Sequence, residues 1–305
     1  MALGHLFVQA LELCQAAGMV SLGQVALEAA MVRANASRRK AMSYARMTEK
    51  QKILAAEVSD LLAEAERIDT GEDKMFGKDN KGYGLPGELA RRQGRLAKIT
   101  QAKAALEAEA AQRAAAEAGE RARVAGKDQD AIAERAAAAA ARAVPAPRAQ
   151  RNFTDPDSRI MKTADGSFAQ CFNAQAVVDA DHQVIIATDV NNCAADSQTF
   201  TPMMEQARRN TGQAPKQALA DAGYCSQANL DDAAKLTERD GTEFLIAPGR
   251  LGHDEVLEPA PRGRIPKTLT PKQRMARKLR TKTGKADYAR RKAIVEPVFG
   301  QIATL

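Results

Sequence analysis

Tryptophan is absent from this chain, and aromatic residues make up only 4% of its 305 residues. So few large rings allow only a modest core, and the abundance of alanine points to a great deal of helix. Cysteine is sparse: Cys14, Cys171, Cys193 and Cys225 are scattered, with no C-x-x-C pair and no histidine-rich companion. That scatter argues against a zinc site and against a disulfide framework, so a reduced, cytoplasmic setting is the expectation. No apolar run reaches the roughly 18 residues of a membrane span, and no basic-then-apolar leader with a cleavage site is present. The glycine-rich stretch between Asp69 and Pro86 lacks the G-x-x-x-x-G-K-[ST] pattern of a phosphate loop.

The length suits about two domains at roughly 150 residues each. The formal charge of +7 and pI near 9.3 fit a polyanionic partner, and where the excess lies matters more than its total. Leu3 to Gly18 spaces Leu6, Ala10, Leu13 and Ala17 on one face and predicts a helix ending at Gly18. Gln24 to Val32 admits either a short buried strand or a helix. Residues 33–150 read mostly as one long helical region, with leucine and alanine at three- and four-residue intervals and Glu, Arg and Lys on the other faces. This is the pattern of hairpins or coiled coils, broken only by a charged loop from Asp69 to Pro86. Val144 to Arg151, VPAPRAQR, reads as a linker, after which the composition changes.

The remainder predicts an α/β layer arrangement. Phe168 to Asn192 reads as two strands joined at Asp179–His182, where Asp179 and His182 are turn residues. Asp196 is read as the N-cap of a helix through Asn210 that packs Phe200, Met203, Met204 and Ala207 on the sheet. Lys216 to Ser226, KQALADAGYCS, is a short apolar strand running into Asp221 and breaking at Gly223; a helix through Leu236 and a strand at Gly241–Pro248 follow. An acid at the carboxyl end of such a strand projects into the crevice where open α/β sheets bind ligands, although a plain helix-capping role fits the local sequence as well.

Arg262 to Lys292 holds many cations and a single acid, Asp287. Such a block is the footprint of polyanion binding, mainly to phosphates, through Arg262, Arg264, Lys267, Lys272, Arg274, Arg277, Lys278, Arg280, Lys282, Arg290, Arg291 and Lys292. Directly after it, Glu296 sits among Ile294, Val295, Val298 and Phe299. Burying that carboxylate unpaired is costly, and a metal ion would relieve the cost.

Three stretches, FTDPDSRIMKTADGSF…FNAQAVVDADHQVI, LADAGYCS and RRKAIVEPVFGQI, together with RANASRRKAMSYARM and GYGLPGELARRQGRLAKI, resemble DDE transposases of bacterial insertion sequences. The resemblance runs from about Leu6 to the end of the chain. It implies a ribonuclease H-like core: a mixed five-stranded sheet with flanking helices, interrupted by a long helical, coiled-coil-like insert after the first strand. Gln24 to Val32 is then the first strand. The domain expectation is residues 1–32 for the first helix and strand, 33–150 for the insert, and 151–305 for the rest of the core, including the basic segment 262–292.

The resemblance also assigns Asp221 and Glu296 as the second and third catalytic, metal-holding acids, with Glu28 standing where the first acid belongs. It implies two Mg²⁺ ions, or Mn²⁺, cutting and joining DNA at the terminal inverted repeats of an insertion sequence, in a homo-oligomer assembled on that DNA. Where the family reads L-D-G-T, this chain reads Leu27-Glu28-Ala29-Ala30. A carboxylate displaced by about 1 Å costs about 10²-fold in rate. Weak or absent catalysis is therefore expected, and the chain's extent relative to the family suggests a truncated copy. The alternative to an active enzyme is a remnant that binds DNA or pairs with an intact transposase. A purely structural coiled-coil protein would leave the α/β half without a role.

Overall fold

The computed structural model describes residues 2–76, 87–163, 165–249, 260, 263, 266 and 268–304. In chain order the elements are α1 (Ala2–Ala16), β1 (Gln24–Arg33), β2 (Ala41–Ser43), α2 (Tyr44–Phe76), α3 (Gly87–Val124), α4 (Gln129–Arg142), β3 (Gln150–Asn152), β4 (Arg159–Lys162) and β5 (Phe168–Asp179). Then come β6 (Ile185–Asn191), α5 (Phe200–Thr211), β7 (Gln217–Ala220), α6 (Gln227–Asp240), β8 (Glu243–Ile246), α7 (Pro271–Leu279) and α8 (Lys282–Thr304). They divide into an α/β unit, Met1–Val32 with Met161–Ser167 and Cys171–Leu305, and a helical unit, Arg33–Ile160 with Phe168–Gln170.

The α/β unit is built on a sheet whose core strands run in the order β6-β5-β1-β7-β8, with β4 adding to β5. β1, β7 and β8 are parallel, and β5 and β6 are antiparallel. Ala180 donates to the Gln24 carbonyl while Ala34 donates to that of Gln170, so β5 runs against β1. The parallel strands read as short apolar runs because helices cover both faces. Val25, Leu27, Ala218, Ala220, Phe244 and Ile246 meet Leu11 of α1, Met203 and Met204 of α5 and Leu230 of α6. The alternate residues, Ala26, Leu219 and Leu245, pack against Leu279, Ile294, Val295 and Val298 of α7 and α8. This is the mixed, ribonuclease H-like sheet with flanking helices, and the long helical segment follows its first strand.

The helical unit has its own core of Met42, Met47, Leu54, Ile99, Ala102 and Leu106. Its first residues depart from the helical expectation. After β1 the chain forms a 3-10 turn at Arg38–Lys40 and then β2, which pairs antiparallel with β3. The Ser37 hydroxyl accepts from the Arg39 N–H, and the Asn152 side chain donates to the Ser37 carbonyl at 2.8 Å, so a long-range contact outweighs the helical propensity there. The proline-marked stretch before β3 is docked as well. Pro147 and Ala149 offer their carbonyls to the N–H groups of Ala45 and Tyr44, donors that the first turn of α2 cannot satisfy internally. α2 itself continues through Phe76, past the predicted break at Asp69, and the rest of that predicted loop, 77–86, lies outside the described residues.

Candidate active site

β7 ends at Ala220, and the next residue, Asp221, caps a 3-10 turn at Ala222–Tyr224, its Oδ1 accepting from the Gly223 N–H at 2.8 Å. The parallel register pairs Leu27 with Ala220, so Glu28 and Asp221 are the next step along neighbouring strands. Both share the side-chain parity of Ala26 and Leu219, whose face is covered by α8. The register thus puts Glu28, midway along β1, beside Asp221, the residue that follows the last residue of β7.

What faces them is a cation and a phenol. The Glu28 carboxylate forms an ion pair with Nη1 of Arg291, the two side chains being only 19% and 11% exposed. The same guanidinium stands 5.8 Å from the centre of the Tyr288 ring, and its Nε is buried without a partner. Burial pushes the Arg291 guanidinium below its ordinary value, while the charge of Glu296 opposes that shift. Burial, and secondarily the negative charge of Asp221, raises Tyr288 far above the usual phenol range, so its hydroxyl stays neutral.

Glu296 is on the same helix, five residues after Arg291, which at about 100° per residue turns it roughly 140° around the axis. Its side chain is 61% exposed and lies 3.9 Å from Lys292. The buried residues around it, Ile294, Val295 and Val298, point the other way, into the sheet. Pro297 lies inside α8 and cannot donate to the Ala293 carbonyl; Gln183 Nε2 does so instead at 3.0 Å, fastening α8 to the turn after β5.

A fourth acid escaped the sequence reading. Asp196 does not cap α5; it starts a 3-10 turn at Asp196–Gln198, and Thr199 occupies the cap position of α5 without a side-chain cap bond. Its Oδ1 accepts from Asn173 Nδ2 at 2.8 Å and Gln175 Nε2 at 3.1 Å. Gln175 Oε1 in turn accepts from Thr199 Oγ1 at 3.1 Å and from the Tyr224 hydroxyl. Burial first, then Asp196 and Asp221, raises the Tyr224 phenol far above its usual range. A Cβ on Gly223 would lie 2.6 Å from Asp196 Oδ2 and 3.0 Å from Asp221 Oδ1, so two carboxylates face each other across a residue that has to be glycine. The legible signal is Asn173-Ala-Gln175, two amides on one face of a buried strand. Asp179, expected in the turn, is instead the last residue of β5; it is fully buried and accepts from the Leu22 N–H at 2.8 Å, tying the end of β5 to the entry of β1.

A two-ion site needs several carboxylates converging on hard cations. Here Glu28 is held by a guanidinium and Glu296 is turned outward. Among the described residues no three His, Cys, Asp or Glu side chains come together in a way that could hold a metal ion. As placed, these residues do not fit the two-ion group.

Of the basic segment, Arg262, Arg264 and Lys267 lie outside the described residues. α7 carries Lys272, Arg274, Arg277 and Lys278 behind a Thr270–Gln273 capping box, and Arg280 follows it. Several of these cations are engaged within the unit. Lys278 donates to the Phe244 carbonyl at 3.0 Å and pairs with Glu243 at 2.9 Å. Arg277 donates to the Gly263 carbonyl at 2.7 Å, Arg274 to that of Leu269 at 3.0 Å, and the Nε of Arg280 is buried. Lys272, Lys282, Arg290 and Lys292 are exposed. Among the described residues no helix is long and apolar enough to cross a membrane.

Residues 141–305 match the family model described as the transposase DDE domain. That span contains Asp196, Asp221, Glu296 and the whole of α7 and α8, while Glu28 lies before it. No curated protein and no solved structure matches the chain.

Proposed function

Because the chain belongs to the transposase DDE domain family, we propose that it is a catalytically inactive transposase relative that binds DNA without cutting it. The observation that carries this reading is the guanidinium of Arg291 on the carboxylate of Glu28. Arginine stays charged at any physiological pH, and taking one partner from a buried pair costs about 3–5 kcal/mol. A divalent ion recruiting Glu28 would have to bear that cost before gaining any ligand. Asp221 remains at its strand end, but the acid beside it is committed to a cation of the protein's own.

Binding to DNA rests on different residues. Lys272, Lys282, Arg290 and Lys292 are exposed on α7 and α8, and cations of this kind contact phosphates whatever the base sequence. Such a protein would occupy the terminal repeats of an insertion sequence, or pair there with an intact transposase, and so hold those ends from productive use.

The test is incubation of the full chain with a labelled duplex bearing terminal repeats and Mg²⁺ or Mn²⁺, beside Asp221→Ala and Glu28→Asp. The expected result is a salt-sensitive complex and an intact duplex for all three proteins. Strand cleavage by the unaltered chain that disappears in Asp221→Ala would return the active-enzyme reading.

A further inference from the structure

The helical unit has a cleft of about 430 Å³ where the 3-10 turn at Arg38–Lys40, β2, the first turn of α2 and the first third of α3 meet. Its floor is apolar, formed by Met42, Ile99 and Phe153. Its rim carries Arg39, Lys40, Arg46, Arg95 and Lys98, all exposed, and no acid lines it. Among the described residues none of these five side chains forms an ion pair.

That is unusual for its surroundings. In the neighbouring cleft along α2 and α3, the basic residues share the lining with Glu57 and Glu88, and Arg92 pairs with both of them. Farther along, Lys103 pairs with Glu107 at 2.7 Å, while Arg151 and Arg159 both reach Glu109. Those cations are matched with acids; among the described residues the five that converge at this cleft are not. Like charges held together repel one another, and a polyanion relieves that repulsion while releasing its own counterions.

The cations also sit on a fixed frame. The Phe153 N–H donates to the Lys40 carbonyl at 3.1 Å, Asn152 holds Ser37, and β2 is paired with β3. Arg95 and Lys98 lie three residues apart on one face of α3, with Leu96 and Ile99 packing into the core beside them. The backbone that carries the charges is therefore ordered before any ligand arrives.

We infer that this cleft is a second DNA-binding surface, which takes the phosphate backbone of duplex DNA independently of α7 and α8. The identity of the polyanion as DNA rests on the DNA-binding reading above; the location does not.

The experiment measures anisotropy of a fluorescent 30-bp duplex with the full chain between 50 and 200 mM salt. A variant carrying Arg39→Gln, Lys40→Gln, Arg46→Gln, Arg95→Gln and Lys98→Gln is expected to reduce the log–log salt slope by about 4.5, at roughly 0.9 for each phosphate no longer neutralised. Unchanged slope and affinity would overturn the inference. The five single variants, each expected to lower the slope by about 0.9, decide the matter should the combined variant fail to fold. A parallel variant carrying Lys272→Gln, Lys282→Gln, Arg290→Gln and Lys292→Gln isolates the α7–α8 surface. Weakened binding in that variant alone overturns the cleft, and weakened binding in the cleft variant alone overturns the α7–α8 assignment instead. Tighter binding of single-stranded RNA than of duplex DNA by the cleft would overturn DNA as its partner.

Discussion

On the sheet of the α/β unit charges are matched: Glu28 of β1 with Arg291, and Glu243 of β8 with Lys278. At the cleft of the helical unit five cations stand without acids. Internal pairing fixes a structure and removes charge from the reach of ligands, whereas unmatched charge is held available for one. The difference separates a site that has been closed by its own residues from a surface that remains open to a polyanion.

The pairing on the sheet can be broken directly. Arg291→Met leaves Glu28 buried with no cation and is expected to lower stability by about 3–5 kcal/mol in urea denaturation. The double variant Glu28→Gln/Arg291→Met should recover most of the loss. A single-variant loss below about 1 kcal/mol would show that the pair does not hold α8 on the sheet.

Two glycines sharpen the same contrast. Gly223→Ala drives a methyl between Asp196, already held by Asn173 and Gln175, and Asp221, so a loss of about 1–3 kcal/mol is expected. Gly94→Ala, in α3 with nothing within 4 Å of its new Cβ, is expected to gain about 0.5–1 kcal/mol. Thermal melts of the two variants should therefore move in opposite directions, and a shared direction would contradict the packing around Gly223.

The smallest effect lies on the surface of the α/β unit. The Arg239 guanidinium beside Asp240 holds its carboxyl below the usual carboxylate range, with Arg208 also near. A lowered folded value adds stability above the unfolded carboxylate value near 3.9, and that stability is lost as the pH falls through the lowered one. Arg239 is well exposed, so screening limits the effect, and Asp240→Asn should cost about 0.5 kcal/mol at pH 7. The difference from the unaltered chain should vanish in strong acid. A difference that persisted there would mean Asp240 acts through something other than its charge.

Local pattern made most of the α/β half legible. The apolar run at Gln217–Ala220, the hairpin joining β5 and β6 and the amphipathic stretch at Phe200–Thr211 are recorded in residue spacing, whereas spacing left Gln24–Val32 open between strand and helix and only the family resemblance made it the first strand. Residues 33–43 were not legible, because Asn152 and β3, more than 100 residues later, decide their conformation. Asp221 was found because it ends an apolar strand beside a turn glycine. Asp196 was missed because its environment comes from Asn173 and Gln175 on another strand, and a lone Asp ahead of a helix looks like a cap. The fate of Glu28 was equally hidden, since Arg291 lies more than 260 residues away and looked like one more member of a basic run.

The most direct test of the closed strand-end site uses Mn²⁺ as probe. Free Mn²⁺ is followed by electron paramagnetic resonance as it is titrated into the full chain and into Asp221→Ala. The account predicts the same weak, non-specific uptake for both proteins, because Arg291 already occupies the carboxylate beside Asp221. Stoichiometric Mn²⁺ binding by the unaltered chain that is abolished in Asp221→Ala would contradict it.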